Sequence, residues 1–362
     1  MTDIITSIEQ VTPDWLTGVL RKAGALERGQ AIGVQADTTK LLHASSKHNT
    51  FVSRLAVAYS DDSPATAPPR LYLKVNMREG AFGIPGLGKH EPEFYNAVAH
   101  SEANLPVVPC YDAAYSAEAG GYHLLLKDMT ETHIAFPPSQ FPPVGNYCEM
   151  IVDALADLHA HWWDSPKLGM SIGEIPTLNS LKGEVEGNRS GFPKFVDFMQ
   201  DRLSPARLKV YERVLARLEG ILSKRFTSGK GLTLIFEDVH AGNFLYPRDP
   251  LAERLYIIDW EQWGVNIGPH DLAYMMAMFW FPERRARMEQ NLLQRYFHRL
   301  QAHGVQNYTW DDCWHDYRLS VLRLLFHPAW QWEHNAPPDI WFNHLERLHL
   351  AYEDLSCEEL LS

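Results

Sequence analysis

Two apolar runs in the middle of this chain each deliver an acid where their strand character stops. Leu232–Phe236 leads to Asp238, with Asn243 five residues further on, and Leu255–Ile258 leads to Asp259. The groups are complementary in chemistry. One carboxylate can orient or deprotonate an attacking hydroxyl, while an amide oxygen and a second carboxylate hold a divalent cation on phosphates. Phosphoryl transfer from a magnesium-bound nucleotide calls for this set. The alternative is that these acids only cap turns, as Asp and Asn often do.

The wording around the acids is more specific than their types. The first block reads Phe236-Glu237-Asp238-Val239-His240-Ala241-Gly242-Asn243, the second Ile258-Asp259-Trp260-Glu261, and Gly268-Pro269-His270-Asp271-Leu272-Ala273 follows. Together they resemble the catalytic core of the aminoglycoside phosphotransferase and choline-kinase-like superfamily, including its ecdysteroid-kinase-like branch. That family carries His-Gly-Asp-x-His-x-x-Asn, then Ile-Asp-Trp/Phe-Glu, then Gly-x-Pro-x-x-Asp-Leu-Ala. The resemblance implies Asp238 as catalytic carboxylate and Asn243 and Asp259 as Mg²⁺ ligands. It gives His240 a supporting place, has Glu261 steady Asp259 or touch the acceptor, and has Asp271 cap a helix and brace the catalytic loop. One departure stands out: Phe236-Glu237 replaces the usual His-Gly and puts a second carboxyl beside Asp238.

Nucleotide binding needs further elements, and these occur upstream in the family's order. Lys74 lies in the apolar strand Leu71–Val75, where an ammonium is costly unless it meets an anion. It matches the strand lysine that contacts phosphates. Glu91-Pro92-Glu93-Phe94-Tyr95 resembles the family's Glu-x-x-Phe-Tyr, which makes Glu91 the partner of Lys74, with Glu93 as the fallback. Between the runs Ile32–Leu42 and Thr50–Tyr59, the second of which alternates as a strand should, Ser45, Ser46 and Asn49 offer donors to phosphates. A hairpin over Val107–Tyr115 and Gly121–Met129 ends in Lys127-Asp128-Met129, where the family has its adenine-reading hinge. The glycine-rich stretch Arg78–Gly88 has no GxGxxG following a strand and is no dinucleotide fingerprint.

Composition bounds what else the chain can be. Its 362 residues, 45% hydrophobic and 22% charged, suit a globular protein with two or three core units. A net charge of −12 argues against a nucleic-acid or anionic-membrane surface. No apolar run is long enough to span a bilayer, and the acidic N-terminus is not that of a signal peptide. The four scattered cysteines include no CxxC pair, which points to a reducing cytoplasm.

Periodicity supplies the scaffold. A helix is expected from Pro13 to about Ala25, capped by Thr12, and another from Tyr147 to Trp163, ending in Leu158-His159-Ala160 with His159 as a core histidine. Residues Met170–Lys194 read as a variable loop or short helices, and Phe195–Phe226 as amphipathic helix. The remainder is helical and rich in Trp and His, mostly core, with part able to line a pocket for a ring-bearing acceptor. The expectation is an α+β, bilobal protein-kinase-like fold, divided at 1–130 and 131–362. The function expected by resemblance is ATP- and Mg²⁺-dependent transfer of the γ-phosphoryl group to the hydroxyl of a small molecule. An antibiotic-inactivating phosphotransferase and a pseudokinase that binds nucleotide without turnover are the alternatives.

Overall fold

The structure, a computed structural model, describes residues 4–37, 50–77, 87–98, 105–136 and 142–362. The expected phosphate donors Ser45, Ser46 and Asn49, and most of the glycine-rich stretch, lie outside them. The chain divides into two compact units: Met1–Pro137 with Gly242–Trp263, and Pro138–Ala241 with Gly264–Ser362. The division differs from a single cut after residue 130, for a reason of hydrogen bonding. The segment around Asn243 and Asp259 is tied to the first unit, where Ile257 N–H donates to Pro106 O at 2.8 Å.

The first unit opens with α1 (Pro13–Lys22), capped by Thr12, whose hydroxyl accepts from Trp15 N–H at 3.1 Å. It ends three residues before expected, in a turn where Gly24 takes φ +71°. Five antiparallel strands follow: β1 (Ala31–Asp37), β2 (Thr50–Tyr59), β3 (Arg70–Asn76), β4 (Cys110–Ser116) and β5 (Gly121–Lys127), in the order β1-β2-β3-β5-β4. Alternation puts Leu71, Leu73 and Val75 of β3 into a core with Leu16, Val19 and Leu20 of α1 and Leu55 of β2. Lys74 and Tyr72 therefore point to the other face. α2 (His90–Ala97) carries Glu91 in its first turn. A second sheet joins β6 (His133–Ala135), β8 (Phe244–Pro247) and β9 (Tyr256–Ile257).

The second unit is mainly helical: α3 (Asn146–Trp162), α4 (Leu178–Met199), α5 (Pro205–Phe226), α6 (Pro269–Ala273), α7 (Pro282–Ala302), α8 (Trp310–Leu324), α9 (His327–Glu333) and α10 (Pro338–Asp354). α4, one helix of 22 residues, replaces the variable loop or short helices expected over 170–194. Thr177 and Ser180 form a capping box, and Leu181, Val185, Phe192, Phe195 and Met199 make one buried stripe. Its polar and glycine-rich outer face hides that stripe from a reading of composition. β7 (Thr233–Ile235) and β9, the two strands that precede the acids, do not pair with each other. β7 pairs instead with β10 (Gly264–Asn266) inside the second unit. Among the described residues no helix is long and apolar enough to cross a membrane.

Candidate active site

In the first unit, a chain of hydrogen bonds gathers the expected nucleotide-side residues. Lys74 Nζ donates to Glu91 Oε2 at 2.7 Å and to Asp259 Oδ1 at 2.8 Å. Glu91 is therefore the partner of Lys74, while Glu93 pairs with Lys89 at 3.4 Å. Burial works against the Lys74 charge, but Asp259 and Glu91 outweigh it and hold the ammonium well above its ordinary range. Burial in turn pushes the Glu91 carboxyl up to about 7, opposed by Lys74. Asp259 lies two residues past β9 and takes a left-handed backbone, at φ +67°.

Two residues complete this network that the sequence reading did not single out. Tyr122 O–H lies 2.6 Å from Glu91 Oε2 and 2.8 Å from Glu261 Oε1, and Asn76 donates to Glu261 Oε1 at 3.2 Å. The signal for both is register: Asn76 is two residues from Lys74 on one face of β3 and sits opposite Tyr122 of β5. Carboxylate oxygens of Glu91, Asp259 and Glu261 come within 4.8 Å of one another. Oxygen donors of this kind suit a hard cation such as Mg²⁺. Asn243 is buried, closes the turn Ala241–Asn243, and accepts Ile258 N–H on its main-chain oxygen at 3.0 Å.

The expected hinge lies at the end of β5. Lys127 is exposed and its N–H is bonded to Pro109 O at 2.9 Å. Met129 is buried, and its carbonyl accepts from both Thr132 and His133 N–H to close a turn.

The second unit holds Asp238 and its supports. Asp271, fully buried, accepts Phe236 N–H and Glu237 N–H, each at 2.8 Å. Its Oδ2 also meets His159 Nε2 at 3.1 Å, and His159 Nδ1 meets the Tyr296 hydroxyl at 2.9 Å. With Nε2–H donating to the carboxylate, Nδ1 accepts from Tyr296. Gly268 is required beside this relay, since a Cβ there would fall 2.1 Å from the Tyr296 oxygen. Asp271 thus ties down the backbone just before Asp238 and does not cap α6, whose cap position is Gly268 with no side-chain bond.

Asp238 itself accepts from Tyr274 O–H at 3.1 Å, and His240 Nε2 lies 3.6 Å from its other oxygen. Tyr274 starts a π-helical turn, Tyr274–Met278, and burial with the neighbouring Asp238 charge keeps it a protonated donor. Phe236 is fully buried, a packing role that needs no imidazole. Glu237 stands at φ +72°, where the family's glycine would be unstrained. Burial pushes its carboxyl up to about 7, opposed by the guanidinium of Arg323, which Glu184 (2.8 Å) and Asn266 (3.0 Å) hold in place.

A profile of the phosphotransferase enzyme family matches residues 88–308, more than half of the chain. Two solved structures share the protein-kinase-like fold. A choline kinase from Cryptosporidium parvum is 11% identical with a TM-score of 0.54, over 96% of this chain and 98% of that one. An ethanolamine kinase from Plasmodium vivax is 10% identical with a TM-score of 0.51, over 89% and 81%. No curated protein matches the sequence.

Proposed function

The chain belongs to the phosphotransferase enzyme family, and from that premise we propose that it transfers the γ-phosphoryl group of ATP to a hydroxyl of a small metabolite or natural product. The observation that carries this reading is Lys74 bridging Glu91 and Asp259, a cation held ready beside an all-oxygen carboxylate cluster. Lys74, fixed by Glu91, positions phosphate oxygens. Asn243 and Asp259 hold Mg²⁺, with Glu261 steadied by Tyr122 and Asn76 beside them. Bound Mg²⁺ supplies charge neutralisation on the phosphates.

Asp238 orients the acceptor hydroxyl and takes its proton. Tyr274 fixes one of its oxygens, and Asp271 fixes the backbone of the two residues before it. Catalysis of this kind is placement and electrostatics. A cytoplasmic setting is in keeping with the free thiols of Cys110, Cys148, Cys313 and Cys357.

The test is coupled ADP release against sugars, aminoglycosides, amino alcohols and aromatic alcohols, with Asp238→Asn in parallel. Acceptor-dependent release that falls at least about 100-fold in the variant supports the reading. Failure of Mg·ATP to bind would overturn it.

A further inference from the structure

Where α5 ends, the second unit holds a cleft of about 950 Å³, at the large end of the usual range for a small-molecule site. None of the residues that line it has a place in the reaction proposed above. Asp164, one of them, accepts Leu232 N–H at 3.2 Å and donates its own N–H to Leu232 O at 2.8 Å. Leu232 leads into β7, and Asp238 follows six residues later, past the far end of that strand. The cleft therefore lies at the end of β7 remote from the catalytic loop, up to about 20 Å of extended chain away.

Its acids are largely employed, and its outer cations are not. Asp316 takes Nε and Nη2 of Arg225 at 2.7 and 2.8 Å, and Tyr308 O–H at 3.0 Å. Asp312 completes the capping box of α8, accepting Thr309 N–H at 2.8 Å and the Thr309 hydroxyl at 2.7 Å. Arg217, Lys224 and Lys230 also line the cleft, are exposed, and have no ion-pair partner among the described residues. Lys224 suits the negative end of α5, but Arg217 stands two turns before it on the same face, about 10 Å away in rise.

Between these two lies Gly220, in a helix interior where glycine is unfavourable relative to alanine. A Cβ there would meet nothing within 4 Å, so no packing inside the described chain calls for the glycine. It leaves bare helix backbone in the wall of the cleft, with a cation on either side.

We infer that this cleft is a second ligand site, which takes a small polyanion: a molecule carrying two or more phosphate groups. Arg217, Lys224 and Lys230 bind the phosphate oxygens, as guanidinium and ammonium donors do elsewhere, and Gly220 lets the ligand lie close against α5. Its occupant is not the acceptor, since Asp238 stands at the other end of β7. The site does not depend on the kinase reading.

Titration calorimetry of the full chain with inorganic tripolyphosphate, without nucleotide or Mg²⁺, tests this. Saturable binding that survives Lys74→Met is expected, which sets it apart from the phosphate positions beside Lys74. It should weaken about tenfold in Arg217→Gln and again in Lys224→Gln, the scale of one charge-assisted hydrogen bond each. Gly220→Leu should abolish it while raising the thermal midpoint. That substitution leaves every charge in place, so the loss separates a shaped site from diffuse attraction. Arg217 and Lys224 are exposed, and their variants report even where Gly220→Leu does not fold. No saturable binding, binding that Lys74→Met removes, or wild-type affinity in Gly220→Leu or in the double variant Arg217→Gln, Lys224→Gln would each overturn the proposal. Failure of the kinase reading is read separately, from Mg·ATP affinity.

Discussion

Asp271 accepts the backbone N–H of Glu237 at 2.8 Å, across 34 residues of chain, with its carboxylate fully buried. The loop that presents Asp238 is therefore held from its main chain, by a residue of another element. The same carboxylate takes Phe236 N–H and His159, so three donors converge on two oxygens.

Asp271→Asn keeps the shape but replaces one acceptor oxygen by an amide donor facing an N–H. The lost charge-assisted bonds cost about 2–4 kcal/mol. The thermal midpoint should drop by roughly 5–15 °C, with turnover falling further than nucleotide affinity. A midpoint within a degree or two of wild type in differential scanning fluorimetry would show that the brace is dispensable.

Glu237 makes stability depend on pH. Its folded carboxyl, near 7, sits above the ordinary value of 4.5, so between those values the folded state holds more of the proton. Stability contributed by this group is complete below pH 4.5 and is lost as pH rises through 7. Glu91 carries the same sign. Glu237→Gln should flatten part of that decline, and Glu237→Gly should flatten it likewise while adding about 1 kcal/mol at pH 4.5, where the carboxyl is protonated, by relieving the left-handed backbone. Urea midpoints from pH 4.5 to 8 check both. An unaltered slope in the Gln variant contradicts the assignment.

Lys74→Met removes the cation that Glu91 and Asp259 share. Breaking such a pair with one partner largely buried costs about 3 kcal/mol. Nucleotide affinity should fall at least tenfold, and Glu91→Gln should produce a smaller loss in the same direction. Nucleotide affinity that survives Lys74→Met in isothermal titration would remove Lys74 from the phosphate site.

Much of the first unit was legible in the sequence, because its signals are local. Alternation marks β2 as Thr50–Tyr59 without error, and an ammonium inside the apolar run of β3 already calls for an anion. The spacing of Glu91-Pro92-Glu93 left two partners for Lys74, and only the start of α2 selects Glu91. Helix α4 was misread because glycine and serine crowd its outer face, although its inner face repeats at helical spacing.

By itself, the sequence determined which groups are present and which lie near each other along the chain: Asp238 with Asn243, Asp259 with Glu261, and His159 on a helix that buries it. Tertiary structure decided the pairings between distant segments. Register alone placed Tyr122 opposite Asn76 and so against Glu261. The pairing of β7 with β10, rather than β9, put Asp238 in one unit and Asp259 in the other. The left-handed backbone of Glu237 belongs to the same class, since a glutamate does not announce it and its N–H is tied to the distant Asp271. Such contacts depend on loop closure over tens to more than a hundred residues, and neighbouring residues carry no record of them.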